Sequence, residues 1–298
     1  MTRSTDPPAA KVAAPDLRVA SRAAPEQRAA SAAPSGAPPK VQPGVPPSRA
    51  RVTAVTSGKG GVGKTFVAAN LGAALARGGA KVLVLDADLG LANLDLMLNL
   101  SARLTLHDVF TGQATLDEAI WPAPGGMSAL LAGSGMLEYS RLTPELCDKL
   151  LAVLVEVRQR FDHVILDTGA GLSDVVLFTI GLADEVLVVA TPEPTSLADT
   201  YATIKVLAAT QAQRPIRLLV NQSQRLGDGR MVCKLLQQVI DRFVNPTLNW
   251  SLNLSLVGDV PLDADVREVI QRRQLLLEAL PGSAAAKALL ATAAKLAN

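Results

Sequence analysis

A chain of 298 residues suits one large domain or two small ones, and with 49% hydrophobic and 19% charged residues it can bury a sizeable core. A net charge of only +2 and 3% aromatics speak against nucleic acid as the main ligand, which would call for a basic field or a base-stacking surface. Two cysteines, Cys147 and Cys233, stand far apart in no metal-ligand spacing and read as reduced thiols. No apolar run is long enough to cross a membrane, and none follows the first basic residue as in a secretory signal, so a cytoplasmic protein is expected.

Residues 1–50 hold about half of the chain's 19 prolines, much alanine and almost nothing large and apolar. Such a stretch cannot bury enough surface to offset its ordering entropy, so a disordered Pro/Ala-rich tail is expected, followed by one domain over 51–298. From Arg51 short runs rich in Val, Ile and Leu begin: 52–56, 81–86, 163–167, 185–190 and 216–221. Several are apolar at nearly every position, as strands buried on both faces of a parallel sheet are. Helical patterns lie between them. Residues 65–77 place Val67, Leu71, Ala74 and Leu75 on one face and stop at Gly78-Gly79. Residues 143–160 open with Thr143 as N-cap and Pro144 in the first turn, and 195–209 and 228–243 also read as helices. This alternation predicts an α/β fold with a mostly parallel central sheet flanked by helices on both faces.

The strand over 52–56 runs into Ser57 and then Gly58-Lys59-Gly60-Gly61-Val62-Gly63-Lys64-Thr65, after which a helix begins. This is the pattern of a P-loop NTPase in its required strand–loop–helix setting. Glycines let backbone N–H groups approach phosphate oxygens, and the helix starting at Lys64 adds its positive end. Lys64 is placed to reach the β- and γ-phosphates and the Thr65 hydroxyl to ligate Mg2+. Two further apolar runs end in aspartate at the edge where a P-loop ligand sits: Asp86-Ala87-Asp88, and Asp167 followed by Thr168-Gly169-Ala170-Gly171. Asp167, delivered by an apolar strand, is expected to hold Mg2+, with Gly169 and Gly171 in a switch loop beyond it. His107 and His163 have no partners at catalytic or metal spacing and are read as structural.

The segment Lys59-Gly60-Gly61-Val62-Gly63-Lys64-Thr65 resembles the deviant Walker A signature of the MinD/ParA group. The resemblance implies ATP and Mg2+ as ligands, hydrolysis of ATP to ADP and phosphate, and a homodimer in the ATP-bound state. In that group the first lysine, here Lys59, reaches across the dimer to the partner's ATP, and the second aspartate of the first pair, here Asp88, orients the attacking water. Asp86 would support the metal and the switch region. Asn221 and the Val260-Pro261-Leu262-Asp263 stretch resemble the group's adenine-contacting segments.

Asp86-Ala87-Asp88-Leu89-Gly90-Leu91-Ala92-Asn93 separates the branches of the group. Partition ParA proteins follow the second Asp with Pro-Gln, which is absent here, and MinD usually has Arg where this chain has Ala92. The Gly-Leu-Ala-Asn form is similar to FlhG (FleN or YlxH), as are Glu193–Ala202 with Lys205, and Pro261-Leu262-Asp263 followed by Val266-Arg267-Glu268-Val269. The resemblance spans roughly 51–298. It implies a regulator of flagellar number or placement, with an FlhF-like GTPase, switch-complex proteins or a flagellar transcription regulator as partners. A MinD-like cell-division regulator and a ParA-like DNA partition ATPase are the alternatives. Residues 1–50 contain no Asp-Gln-Ala-x-x-Leu-Arg segment of the kind by which many FlhG proteins stimulate FlhF; Asp16-Leu17-Arg18 is the nearest stretch. Residues 283–298 are alanine-rich, with only Lys287 and Lys295 as bases and a thin stripe of Leu289, Leu290 and Leu296. That pattern predicts a last core helix rather than a lipid anchor, so direct membrane binding is expected to be weak or absent and any polar localisation to be imposed by a partner.

Overall fold

The five apolar runs form the middle of one eight-stranded sheet. The computed structural model describes residues 50–133, 139, 141–211 and 213–297. The expected tail falls on residues outside these, apart from Ala50, which is buried and donates its N–H to the Arg158 carbonyl at 3.0 Å. In chain order the elements are β1 (Arg51–Thr56), α1 (Lys64–Arg77), β2 (Val82–Ala87), α2 (Leu94–Leu98), α3 (Leu106–Phe110), α4 (Leu116–Ala119), β3 (Ile120–Pro122), β4 (Ser128–Leu130), α5 (Pro144–Arg160) and β5 (His163–Thr168). They continue with α6 (Asp174–Gly181), β6 (Glu185–Ala190), α7 (Pro194–Thr210), β7 (Ile216–Ser223), α8 (Asp228–Phe243), β8 (Ser255–Pro261), α9 (Ala264–Gln271), α10 (Leu276–Ala279) and α11 (Ala284–Ala297).

Strand order is β3-β4-β2-β5-β1-β6-β7-β8, parallel throughout except for the β3–β4 pair. Alternation along each strand feeds two cores. Val52, Ala54, Leu83 and Leu85 join one side with α5 and α7, while Val55, Val82, Val84 and Leu187 join the other with α1 and α11. Truncating a fully buried side chain such as Leu71 or Leu187 to Ala costs about 2–5 kcal/mol, because the surroundings relax only partly.

Helix starts follow local chemistry. Thr143 caps α5 by accepting the Leu146 N–H at 3.2 Å, with Pro144 in the first turn as predicted. Helix α1 ends at Gly78, and Gly79 takes the left-handed φ of +91° that turns the chain away. The prediction for α1 differs from the structure in one respect. Every residue from Phe66 to Leu75 is buried, not one stripe, because α1 lies between the sheet and α11. The leucines of the last helix serve that contact: Leu289 and Leu296 are buried and Leu290 is half-buried.

The strands β1 and β6 begin at an edge held by ion pairs. Glu185, 2% exposed, accepts from Arg51 Nη2 at 3.0 Å, Arg217 Nε at 2.7 Å and Thr53 Oγ1 at 2.9 Å. The same arginines donate to the Leu296 and Lys295 carbonyls at the end of α11, where a helix favours cations. The opposite edge, where β1 ends between β5 and β6, is the switch point at which an α/β sheet binds ligands.

Candidate nucleotide site

Three carbonyls of the loop between β1 and α1 are held by hydrogen bonds. Ser57 carbonyl accepts from the Gly171 N–H at 3.1 Å, Lys59 carbonyl from Ser57 Oγ at 2.7 Å, and Val62 carbonyl from Asn221 Nδ2 at 2.8 Å. A trans peptide points its N–H opposite its C=O, so each anchored carbonyl turns the next N–H away from its anchor. Gly63 has φ of +95° and caps α1 with no side-chain hydrogen bond, and no acid stands in the first turn of that helix. The first helical N–H groups have no intrahelical acceptors, which makes this an anion site. Gly58 is required by close approach: a Cβ there would lie 2.3 Å from the Asp199 carbonyl on α7.

Gly60, Gly61, Gly63, Lys64, Thr65 and Asp88 line a cleft of about 570 Å3 together with Asn93, Met97, Tyr139, Gly169, Val176 and Ile270. Val62 is buried in the core beneath the loop. Asp86 and Asp167 are register partners on β2 and β5, both almost fully buried. Asp86 spends its two oxygens on the loop that follows: Oδ1 accepts from the Asp88 N–H at 3.1 Å and Oδ2 from the Leu94 N–H at 3.2 Å. Burial first, and Asp167 second, push its pKa up to about 8. Asp167 is different. Its Oδ1 is buried without a hydrogen-bond partner, with the Thr65 hydroxyl nearby. Burial raises its pKa to about 7 against the pull of Thr65 and Lys64. Lys64 is held below the usual lysine range by burial, opposed by Asp167 and Asp88.

This donor set fits Mg2+ beside a polyphosphate. A hard cation wants oxygen ligands, and an open carboxylate oxygen, a hydroxyl and an adjacent anion nest supply the surroundings for one. Asp88 sits across from the switch loop, its Oδ1 accepting the Leu91 N–H at 3.1 Å and lying 3.3 Å from where a Gly169 Cβ would be. Thr65 and Asp167 thus meet on the expected metal side, with Asp86 behind them holding the loop that carries Asp88.

Eight predicted residues stand outside the cleft lining: Gly58, Val62, Asp86 and Asp167, placed above, and Lys59, Asn221, Pro261 and Asp263. Lys59 donates to Glu193 Oε2 and Thr195 Oγ1, both at 3.2 Å, and its side chain is 40% exposed. Asn221 is buried against the back of the phosphate loop. Pro261 ends β8, paired with Ser223. Asp263 caps α9 by accepting the Asp265 N–H at 3.0 Å and ties α11 by accepting the Ala285 N–H at 3.1 Å. Asp259, not among the residues expected from the sequence, accepts from Ser223 Oγ and, at 3.1 Å, from the Gly229 N–H. Its signal was an acid inside an otherwise apolar run. His107 pairs through Nδ1 with the Tyr139 hydroxyl at 2.9 Å, and both cysteines are free thiols.

The ParA family model, described as an NUBPL iron-transfer P-loop NTPase, matches residues 48–297. The chain belongs to the MinD/ParA family of P-loop NTPases. The antiactivator FleN of Pseudomonas aeruginosa is 39% identical over 245 residues, covering 82% of this chain and 85% of FleN. The flagellum site-determining protein YlxH of Helicobacter pylori is 30% identical over 230 residues, covering 76% of this chain and 75% of YlxH. Among solved structures, the septum site-determining protein MinD of Pyrococcus horikoshii, complexed with Mg-ADP, matches with a TM-score of 0.68 at 27% identity, covering 83% of this chain and 96% of that one. The P-loop, the α/β sheet and the likeness to FleN and YlxH expected from the sequence are therefore found.

Proposed function

We propose that this MinD/ParA-type protein binds ATP with Mg2+, closes into a homodimer in that state, and hydrolyses ATP to ADP and phosphate to reopen. The observation that carries the reading is the placement of Lys59. It flanks the phosphate loop, lines no part of its own cleft and, among the described residues, is held by a half-exposed pair with Glu193 and Thr195. Exposed pairs of this kind contribute about 0–1 kcal/mol, so a triphosphate on a second copy can take the lysine over. Mg2+ held by Thr65 and Asp167 would supply positive charge to the phosphates. Lys64 and the loop N–H groups bind the phosphates, Thr65 and Asp167 hold the metal side, Asp88 orients water, and Asn221, Pro261 and Asp263 frame the adenine side.

The role we assign is regulation of flagellar number or placement. It rests on the likeness to FleN and YlxH and on the Gly90-Leu91-Ala92-Asn93 segment. Partners of the proposed switch are an FlhF-like GTPase, switch-complex proteins or a flagellar transcription activator, the last suggested by the name antiactivator given to FleN. Dimerisation is tested by size-exclusion with light scattering in Mg-ATP on an Asp88→Ala background. A dimer is expected there, and a monomer after Lys59→Ala. A protein that stays monomeric before the lysine is removed would defeat the switch. The flagellar role is tested by deleting the gene and counting flagella and septa; misplaced septa with normal flagella would instead favour a MinD-like regulator.

A further inference from the structure

The phosphate loop has three anchored carbonyls, and the anchors come from three places. One is its own Ser57, one is the switch loop at Gly171, and the third is the side chain of Asn221 on β7. We infer that Asn221 is a positioning residue for the phosphate loop, holding the Val62–Gly63 peptide so that the Gly63 N–H faces the phosphate. This rests on the ATP-binding reading above and gives Asn221 a task that needs no adenine.

Three observations converge on it. Nδ2 of Asn221 lies 2.8 Å from the Val62 carbonyl, and Val62 and Asn221 are both buried, so no solvent replaces this donor. Gly63 has no room for a side chain because a Cβ would lie 2.5 Å from that same Nδ2. The two residues thus fit as a packed pair, with glycine admitting the amide. The backbone carrying Asn221 is also fixed. Gln222 has a left-handed φ of +59°, Ser223 Oγ donates to Asp259, the Leu262 N–H donates to the Ser223 carbonyl at 2.8 Å, and Asp259 also accepts the Gly229 N–H. A non-glycine left-handed residue persists only where its surroundings over-determine it. If Asn221 is removed, the Val62 carbonyl is left without its donor in a dry place, and the peptide gains freedom to turn that carbonyl towards the phosphate. Strand β7 and the phosphate loop are therefore joined through this bond.

The test compares a ligand with a base and one without. Dissociation constants for Mg-ATP and Mg-tripolyphosphate are measured for the full chain, Asn221→Ala and Asn221→Asp, with folding followed by circular dichroism. The aspartate keeps the shape but replaces the donor by an acceptor facing the Val62 carbonyl, and it carries the test if the alanine variant does not fold. Both variants are expected to weaken tripolyphosphate by about 10-fold, the size expected for stranding one buried polar group, and ATP by at least as much. Weakening of ATP alone would reduce Asn221 to a base contact and overturn the assignment, as would unchanged binding of both ligands. An unsubstituted chain that binds ATP but not tripolyphosphate would also overturn it, since the loop would then not hold phosphate without the base. An unsubstituted chain that binds neither would defeat the ATP-binding reading itself.

Discussion

The two edges of the sheet bury carboxylates in opposite ways. At the edge where β1 and β6 begin, buried Glu185 has two arginines and a threonine hydroxyl on it, and beside it the exposed Asp184 accepts from Arg158 at 3.0 Å and from the Val52 N–H at 2.8 Å. At the edge where the same strands end, Asp167 leaves an oxygen unpaired, and Thr56 Oγ1 and Thr191 Oγ1 are buried there without partners as well. Buried polar groups are normally satisfied, so unsatisfied ones gathered at one edge mark a place built for something else to complete. A paired buried carboxylate is architecture; an underpaired one beside an anion nest is a binding site. The two edges should therefore respond with opposite sign when a carboxylate is removed.

The largest effect on stability is expected from Glu185→Ala. Removing one partner of a buried ion pair costs about 3–5 kcal/mol because the other charge is stranded. The arginines keep 31% and 20% of their side chains exposed, so about 2–3 kcal/mol is expected here. Urea unfolding monitored by circular dichroism reads this, and nucleotide affinity should not move. Loss of nucleotide affinity with unchanged unfolding would break the distinction between the edges.

Next comes Asp88→Ala, which should slow hydrolysis by about 100-fold, the usual worth of a positioned proton acceptor, while leaving ATP affinity nearly intact. Lys64→Ala should instead lose binding. Equal loss of affinity in both variants would show that Asp88 holds phosphate and not water.

Asp86→Asn addresses the sign directly. The folded pKa of Asp86 is raised to about 8 from an ordinary 3.8, so the folded state binds the extra proton. Its stabilising contribution is full below pH 3.8 and is lost as pH rises through 8; Asp167, raised to about 7, acts the same way. The ligand-free protein should therefore weaken between about pH 5 and 8. Asp86→Asn should flatten that slope and gain on the order of 1–2 kcal/mol at pH 8. A steeper loss in the variant would mean that the Asp86 contacts to Asp88 and Leu94 outweigh the buried charge.

Much of this site was legible because its signals are local. The glycine pattern, the strand before it and the aspartates that end apolar runs each lie within a few residues. Strand β8 was not read, since Gly258 and Asp259 interrupt its apolar pattern and Pro261 ends it. Their reasons are tertiary: a Cβ on Gly258 would meet Thr292 Oγ1 at 2.5 Å, and Asp259 serves Ser223 and Gly229. The all-round burial of α1 depends on α11, more than 200 residues away in the chain. Helix α6 leaves no helical stripe in the sequence, because its eight residues are almost uniformly apolar. The partners of Lys59 and the anchor of the Val62 carbonyl lie more than 130 residues off, so spacing along the chain held no trace of either.

The smallest effect is expected at the last helix, and it sharpens the contrast from the structural edge. A lipid anchor needs bulky apolar residues free to insert and a cationic face to approach anionic headgroups. In α11 the large residues Leu289 and Leu296 are buried against the fold, and the faces turned outward are mostly alanine, which gains little on insertion because the gain scales with apolar area. Lys287 and Lys295 add about 1 kcal/mol each near an anionic surface. The arginines that pair with Glu185 also hold the carbonyls at the end of α11, so releasing its leucines would break that clasp as well. Purified protein in Mg-ATP should accordingly stay in the supernatant when anionic liposomes are sedimented, both in the unsubstituted chain and in the hydrolysis-deficient Asp88→Ala variant. Strong ATP-dependent pelleting that disappears when the leucines of α11 are replaced, in a variant that still binds nucleotide, would show that the helix leaves the core to reach lipid, and the paired edge would then be a latch instead of fixed architecture.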